Sequence, residues 1–553
     1  MLVYGDAERI EDQASAWRHV DAALTIGCDA DLDQCQAALL RAYIAAAELV
    51  QGVADRSFDA RGYDEATEEE DLGVRALTVL AAALDVLWHQ GRLDRAALAA
   101  ARRLVRPLDG SGRLRIRTAE GFALYALFPQ TYLAAARQSA LPPGTAVVGI
   151  RSIGSALAPL VAAGLGAAAA VTLRPIGHPF ARRVTAGPLL AARLAADQQP
   201  VAVVDEGPGL SGSSFAAVAQ WLTAQGVAPQ RIHFFPSHAG GPGDKASTAV
   251  RQLWAGTPCH VASFDDTILN SPRFQGALER LVGPLANIPQ PVSGRDRFAP
   301  LTFRVSAGGA DWLLRFAGLG ESGPRKLAIS RRLAAEGFAP PVAGLCFGFL
   351  VERALPGRAL RDAPVPPAAL MARLAAYLGL RACSFPAPTG GASPAQLAEM
   401  TNINVAEGLG ERAAAALAPR LTALSRWTGS IVRVVTDNHL HSDSWLVLED
   451  GRLIKTEAAD HAFGHDLIGC QPIAWDVAGA AIEFGLDAER TGQLAAAVAR
   501  GAGQAVDPRL VEALWPCYLA FQLGRATIAG QRVRAAVYRA KLAELSAAGA
   551  AFV

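Results

Sequence analysis

The stretch Val203-Val-Asp-Glu-Gly-Pro-Gly-Leu-Ser-Gly-Ser-Ser-Phe215 decides how the first half of the chain is read. An apolar run ends in two carboxylates and passes through a loop rich in glycine and serine. It then opens an amphipathic segment with Phe215, Val218 and Leu222 on one face. N–H groups at a helix N-terminus lack partners and carry partial positive charge, glycine lets backbone approach a ligand, and serine adds hydroxyl donors. Such a loop suits a phosphate, and acids at the strand end suit vicinal ribose hydroxyls. The bland alternative is a loop that merely caps its helix.

On both sides of this loop, short apolar runs alternate with helical spacing. Ala146–Ile150 reads as a strand, Leu157, Leu160, Val161 and Leu165 as a helix face, and Ala170–Leu173 as the next strand. Val201–Val204 and Arg231–Phe235 supply two more strands, and Gly226 reads as a helix C-cap. Strands alternating with helices predict a doubly wound, mainly parallel α/β sheet.

Three loops then stand in order. Gly149-Ile-Arg-Ser-Ile-Gly-Ser155 follows the first strand, Leu173-Arg-Pro-Ile-Gly-His-Pro-Phe-Ala-Arg-Arg183 the second, and the Gly/Ser loop a later one. The set resembles the type I phosphoribosyltransferases over roughly residues 110–285. The resemblance implies pyrophosphate contacts from Arg151, Ser152, Gly154 and Ser155. It places Arg174 and Arg182 as catalytic cations on a mobile loop. Ribose-phosphate contacts would come from Asp205, Glu206, Ser211, Gly212, Ser213 and Ser214. It also implies Mg²⁺ and phosphoribosyl pyrophosphate. The sequence departs from the family spacing: either Asp205 and Glu206 are the acid pair with one extra residue before Ser211, or Glu206 is the first acid and Gly207 replaces the second. The loop Ser237–Lys245 could face an acceptor; it is not a Walker loop, because Lys245 is followed by Ala246.

The second half carries Asp437-Asn-His-Leu-His-Ser-Asp-Ser-Trp-Leu-Val447, an Asp450-Gly451 turn, Lys455-Thr-Glu457 and Asp476-Val-Ala478. With the upstream segments Ala339-Pro-Pro341 and Leu350–Gly357, these resemble the aminoglycoside phosphotransferase and choline kinase branch of kinase-like folds over about 300–545. The resemblance puts Asp437 and His439 at the catalytic positions, Arg315 and Glu352 at the nucleotide, and Ser444, Glu457 and Asp460 at the metal, with ATP as substrate. Arg325 or Lys326 falls where a glutamate partner of the strand cation belongs, which predicts repulsion from Arg315. Two readings follow: a degenerate lobe with a scaffolding or nucleotide-sensing duty, or a rewired site using Asp437, Glu457, Asp460, His461, His465 and Asp466.

Residues 1–110 are Ala/Leu-rich with helical spacing, and an acidic loop is expected over 59–71. The aromatic segment 120–132 reads as one buried helix after a basic strand. A Pro-, Ser- and Arg-rich linker is expected over 287–300. The expected organisation is thus a helical region (1–110), a phosphoribosyltransferase-like α/β domain (111–290) and an α+β kinase-like domain (300–553).

The 553 residues carry 52 Lys+Arg against 51 Asp+Glu, a net charge of +1. That balance argues against a nucleic-acid or anionic-membrane binder. Seven scattered cysteines without CxxC spacing give neither a disulfide framework nor a zinc ribbon. A reducing cytoplasm fits, and no signal peptide is expected. The uncharged stretch 153–173 is long enough to span a bilayer, but its Ala/Gly content and strand–helix–strand division read against it. The partners expected are small phosphorylated molecules, and homo-oligomerisation is left open. The leading functional expectation is phosphoribosyl-pyrophosphate-dependent transfer to a small acceptor. The alternatives are a non-catalytic nucleotide-sensing, pseudokinase-type scaffold and an ATP-dependent small-molecule phosphotransferase.

Overall fold

The computed structural model describes residues 1–5, 8–26, 31–195, 198–292, 300–387 and 390–550. Half of the expected linker (293–299), and Cys28, lie outside them. The six described cysteines are free thiols.

Four strands form the expected parallel sheet, in the order Ala170–Leu173, Ala146–Ile150, Val201–Val204, Ile232–Phe235. All four residues of Val201–Val204 are fully buried, as expected for a central strand covered on both faces. One face packs on helices Pro129–Gln138 and Gly154–Leu165, the other on Ser213–Ala224 and Thr248–Gly256 through Phe215, Val218, Leu222 and Trp254. Strand order reverses between Ala146–Ile150 and Val201–Val204. The loops 151–154 and 205–212 therefore leave adjacent strands at the switch point, where open α/β sheets bind ligands. Gly226 follows the helix end with φ of 94°, as a helix terminator does.

Helices Gln13–Ala23, Leu32–Arg61, Glu68–Gln90 and Arg95–Val105 make up the N-terminal region. The acidic loop is shorter than expected. Glu68, Glu69, Glu70 and Asp71 form the first turn of a helix capped by Thr67, where carboxylates complement the helix dipole. The aromatic segment is two helices, Glu120–Ala123 and one opened by Pro129, because proline suits a first turn and not an interior. One hydrophobic core joins this helical region to a face of the parallel sheet and to Phe303, Val305, Leu314, Phe349 and Val351 beyond the linker.

Those last residues belong to a five-stranded antiparallel sheet, ordered Val342–Cys346, Phe349–Arg353, Ala310–Phe316, Thr302–Ala307, Gln290–Pro291. A helical lobe with its own core follows: Pro367–Ser384, Pro394–Leu409, Glu411–Ala423, Ile473–Glu483, Ala488–Ala502, Pro508–Ile528 and Arg532–Ala550. A small sheet of Arg358–Ala359, Trp445–Val447 and Leu453–Lys455 is set against it. Residues 1–5 dock on this lobe. Asn404 exchanges hydrogen bonds with the backbone of Leu2, and Leu467 N donates to Val3 O at 2.8 Å.

Helices Leu32–Arg61 and Glu68–Gln90 are long and apolar enough to cross a membrane by length and composition alone. Their apolar windows are 72% and 56% buried in the fold. Residues 153–173 divide as expected, into the helix Gly154–Leu165 and the strand Ala170–Leu173.

Candidate functional site

Two constellations merit description, one at the parallel sheet and one between the antiparallel sheet and the helical lobe. At the parallel sheet, Gly149 and Gly154 let the strand end and the following turn touch. A Cβ on Gly149 would lie 2.3 Å from the Gly154 carbonyl oxygen. The turn closes with Ser155 N donating to Ser152 O at 3.1 Å. Ser155 Oγ is buried with no protein partner among the described residues.

Arg151 departs from its expected role. Its guanidinium is 1% exposed, lies 3.1 Å from Asp55, pairs with Asp64, and donates to Thr172 Oγ1 at 3.2 Å. It is committed to carboxylates of the N-terminal region and does not offer itself to pyrophosphate. Burial lowers its pKa to about 10 although Asp55 opposes the shift. Arg174 is also engaged, with Nη1 2.7 Å from Asp55 and its backbone N donating to Asp64 at 2.6 Å. Arg182 is half-buried and donates to the carbonyl of Gly177 at 3.1 Å, within the hairpin Ile176–His178/Ala181–Arg183.

That hairpin lies over the Gly/Ser loop. Ser211 Oγ and Ser213 Oγ sit 3.1 and 2.6 Å from the Pro179 carbonyl oxygen. Gly209 and Gly212 adopt positive φ of 56° and 65°, which opens the helix at Ser213 and Ser214. Burial drives the Asp205 carboxyl well above its usual range and Glu206 up to about 7, with Glu120 adding to the latter and His465 opposing it. His465 reaches across from the helical lobe, 2.8 Å from Glu120 and 5.0 Å from the Tyr4 ring. The loop regions of the two halves therefore meet.

In the second constellation, Arg315 lies on the strand Ala310–Phe316, buried between Glu352 Oε2 at 2.7 Å and Asp460. Lys326 Nζ is 3.9 Å from the other Asp460 oxygen. The expected repulsion between Arg315 and Lys326 is thus relieved by a carboxylate between them. Burial and Arg315 still lower Lys326 to about 7.

Asp437 does not face open space. It is fully buried, with Lys455 Nζ at 3.3 Å, Arg381 Nη1 at 3.8 Å and the Tyr377 hydroxyl donating to it. A carboxylate held this way cannot reach an acceptor hydroxyl, so its placement as a base is corrected. Asp476 organises the same loop, accepting from Asp437 N at 2.7 Å and Asn438 N at 3.0 Å. Its pKa is pushed to about 6 by burial.

The proposed metal trio fits Mg²⁺ poorly. Both Asp460 oxygens face cations, and the Ser444 carbonyl accepts from Thr456 N and Oγ1 at 2.9 and 3.1 Å. Asp460 lines neither cavity, Ser444 lines one, and Glu457 lines both. Its φ of 57°, rare for a residue with a side chain, turns it toward the cavities.

Two cavities adjoin Glu457. One, of about 850 Å³, is lined by the Gly309 hairpin, Arg315, Glu352, Arg353, Leu355 and Leu446. The other, of about 1060 Å³, holds His439, His441, Asp443 and His461 with five cations, Arg361, Arg525, Arg532, Arg534 and Lys541. Thr456 and Glu457 line both. Burial holds the three imidazoles neutral: His439 and His461 lie well below the usual histidine range and His441 falls to about 3. Four of these cations come from the last two helices, which no motif marks, and Arg361 from the turn after Arg358–Ala359; the only signal is the Arg532-Val-Arg534 spacing at a helix start.

About half of the chain is similar to small-molecule kinases of known structure. Choline kinase LicA from Streptococcus pneumoniae is 11% identical over 47% of this chain and 94% of its own, at a TM-score of 0.33. The aminoglycoside phosphotransferase APH(4)-Ia, as a thermostable mutant in apo form, is 17% identical over 50% of this chain and 99% of its own, at 0.33. A macrolide 2'-phosphotransferase type I is 15% identical over 48% and 94%, at 0.31. Likenesses this distant leave the reading of the lobe to its own geometry. No protein-family model matches the chain, and no curated protein matches it.

Proposed function

We propose that the chain is an ATP-dependent small-molecule phosphotransferase whose chemistry lies between the antiparallel sheet and the helical lobe. The observation that carries this is the pair of cavities meeting at Thr456 and Glu457. The smaller has the size and lining for a nucleotide: a glycine hairpin above, a buried arginine inside, and the segment Arg353–Pro356 at its edge. The larger, with five cations, suits an acceptor that already carries a phosphate or carboxylate.

In the transfer, the acceptor oxygen bonds to the γ-phosphorus, its proton passes to solvent water, the bond to the β-phosphate oxygen breaks, and ADP leaves. Phosphoryl transfer passes through a loose transition state, so most of the work is positioning and charge neutralisation. Arg353 at the edge of the smaller cavity and the cations of the larger one supply that here. The deciding measurement is ATP consumption with Mg²⁺ against a panel of anionic small alcohols. Product should form with at least one and fall about tenfold in Arg353→Met, whose side chain is exposed at the cavity edge. ATP binding without phosphorylated product by mass spectrometry would favour a nucleotide-sensing scaffold.

A second reading, ribose-phosphate binding at the parallel sheet, is favoured by one observation. The loops 151–154 and 205–212 leave adjacent strands at the point where strand order reverses. Calorimetric titration with phosphoribosyl pyrophosphate and Mg²⁺ tests it: binding lost in Ser213→Ala supports the reading, and absence of binding to the unaltered chain removes it.

A further inference from the structure

Three imidazoles crowd the floor of the larger cavity. The rings of His439 and His461 stack with centroids 4.2 Å apart and an interplanar angle of 25°, and His439 and His441 lie 4.0 Å apart. Two sets bring ligand-type atoms within 4.8 Å of one another: His439, Glu457 and His461, and His439, His441 and Asp443.

Hydrogen bonding separates the two sets. His441 is committed on both ring nitrogens, Nδ1 lying 3.0 Å from Arg534 Nη1 and Nε2 3.2 Å from the Tyr538 hydroxyl. Asp443 Oδ2 accepts from Arg534 at 2.7 Å. By contrast, His439 Nδ1 and His461 Nε2 are buried atoms with no hydrogen-bond partner among the described residues. A buried imidazole nitrogen left unpaired costs free energy unless a ligand meets it.

We infer that His439, His461 and Glu457 form a binding site for a borderline transition-metal dication of the Zn²⁺ class. Two imidazoles and one carboxylate are a donor set for such ions and not for Mg²⁺, which prefers oxygen ligands and retained water. The cations closest to the imidazoles do not forbid it, because they are paired: Lys455 Nζ is 3.3 Å from Asp437, Arg525 Nη1 is 3.6 Å from Asp466 and Arg534 Nη2 is 2.7 Å from Asp443. Three protein ligands leave coordination positions open toward the shared mouth of the cavities, as in sites that bind substrate. The ion would lower the pKa of an acceptor hydroxyl bound to it, so that its proton could pass to solvent water in the open cavity, where Asp437 is placed too deep to accept it. That role rests on the phosphotransferase reading; the binding does not.

The test uses the full chain, stripped with EDTA and titrated calorimetrically with Zn²⁺ at neutral pH without nucleotide. One-to-one binding is expected, weakened at least about tenfold in His439→Gln and in His461→Gln and unchanged in His19→Gln. Loading with Co²⁺ should give visible absorption that Zn²⁺ displaces. X-ray absorption of the Zn²⁺-loaded, unaltered chain should show scattering from two imidazoles, a readout that needs no variant to fold. Failure of the unaltered chain to bind stoichiometrically, or a spectrum without paired imidazoles, overturns the inference. Equal affinity in the folded double variant His439→Gln/His461→Gln does the same. Absent Zn²⁺ binding with ATP turnover intact would remove the metal and leave the phosphotransferase; Zn²⁺ binding without turnover would do the reverse.

Discussion

The loops at the parallel sheet and the cleft of the helical lobe are mirror images in charge. At the sheet, the arginines that a motif marks for anion contact, Arg151 and Arg174, are held by Asp55 and Asp64, while the acids Asp205 and Glu206 lie desolvated with no cation at contact distance among the described residues. In the cleft, the motif acids Asp437 and Asp460 are held by Lys455, Arg381, Arg315 and Lys326, and His439 Nδ1 and His461 Nε2 have no hydrogen-bond partner among the described residues. In both regions, charged residues that a motif marks as reactive are ones the fold has neutralised. Reactivity is left to what remains: a carboxylate pair in one, two imidazoles and Glu457 in the other.

Breaking each network sharpens the comparison, and the largest effect belongs to the cleft. Arg315→Met leaves Glu352 and Asp460 buried with only Lys326 nearby, and should cost about 3–5 kcal/mol in urea unfolding. Arg151→Met should cost less, about 2–3 kcal/mol, because Arg174 stays 2.7 Å from Asp55 and its backbone N still donates to Asp64. A larger loss for Arg151→Met than for Arg315→Met would show that the sheet network, and not the cleft, is the less compensated of the two.

The parallel sheet was legible because its signals are local. Apolar runs of four or five residues end in glycine-rich turns, and Gly149 and Gly154 sit where backbone must touch backbone. The partnerships that disarm the motif residues were not. Arg151 meets a carboxylate 87 positions away, and Arg174 one 110 positions away. No spacing rule reports such a pair, since only tertiary packing creates it. The same holds for the docking of residues 1–5 beside His465 and for Arg525 and Arg534 arriving from the last helices. The imidazole trio was partly visible, in the dense histidines and acids of 437–466. Its division into engaged and unengaged nitrogens depends on Arg534 and Tyr538, which are remote in sequence.

The desolvated acids make the sheet region sensitive to pH. Glu206 has a folded pKa of about 7 against an ordinary value near 4.5, so the folded chain binds the proton more tightly than the unfolded one. Its contribution is therefore fully present below about pH 4.5 and is lost as pH rises through 7. Glu206→Gln should match the unaltered chain near pH 4 and exceed its stability by about 2 kcal/mol at pH 8, read from urea unfolding at both values. An unchanged difference between the two pH values would show that Glu206 is not desolvated, and the mirror-image contrast would lose one side.

The smallest structural effect is expected at Arg182, and it separates the two roles that the hairpin could have. Among the described residues no carboxylate pairs with Arg182; its one hydrogen bond goes to the Gly177 carbonyl of its own hairpin. Arg182→Ala should therefore cost no more than about 1 kcal/mol, the worth of one hydrogen bond at a half-buried side chain. Ligand binding reads out differently. Arg151 and Arg174 are committed to Asp55 and Asp64, so Arg182 is the one motif cation still available to a phosphate beside Ser211 and Ser213. If phosphoribosyl pyrophosphate binds there, Arg182→Ala should weaken it about tenfold, whereas Ser213→Ala also disturbs the contact with Pro179. Equal affinity in Arg182→Ala, with binding intact in the unaltered chain, would mean that the hairpin packs over the loop without serving it.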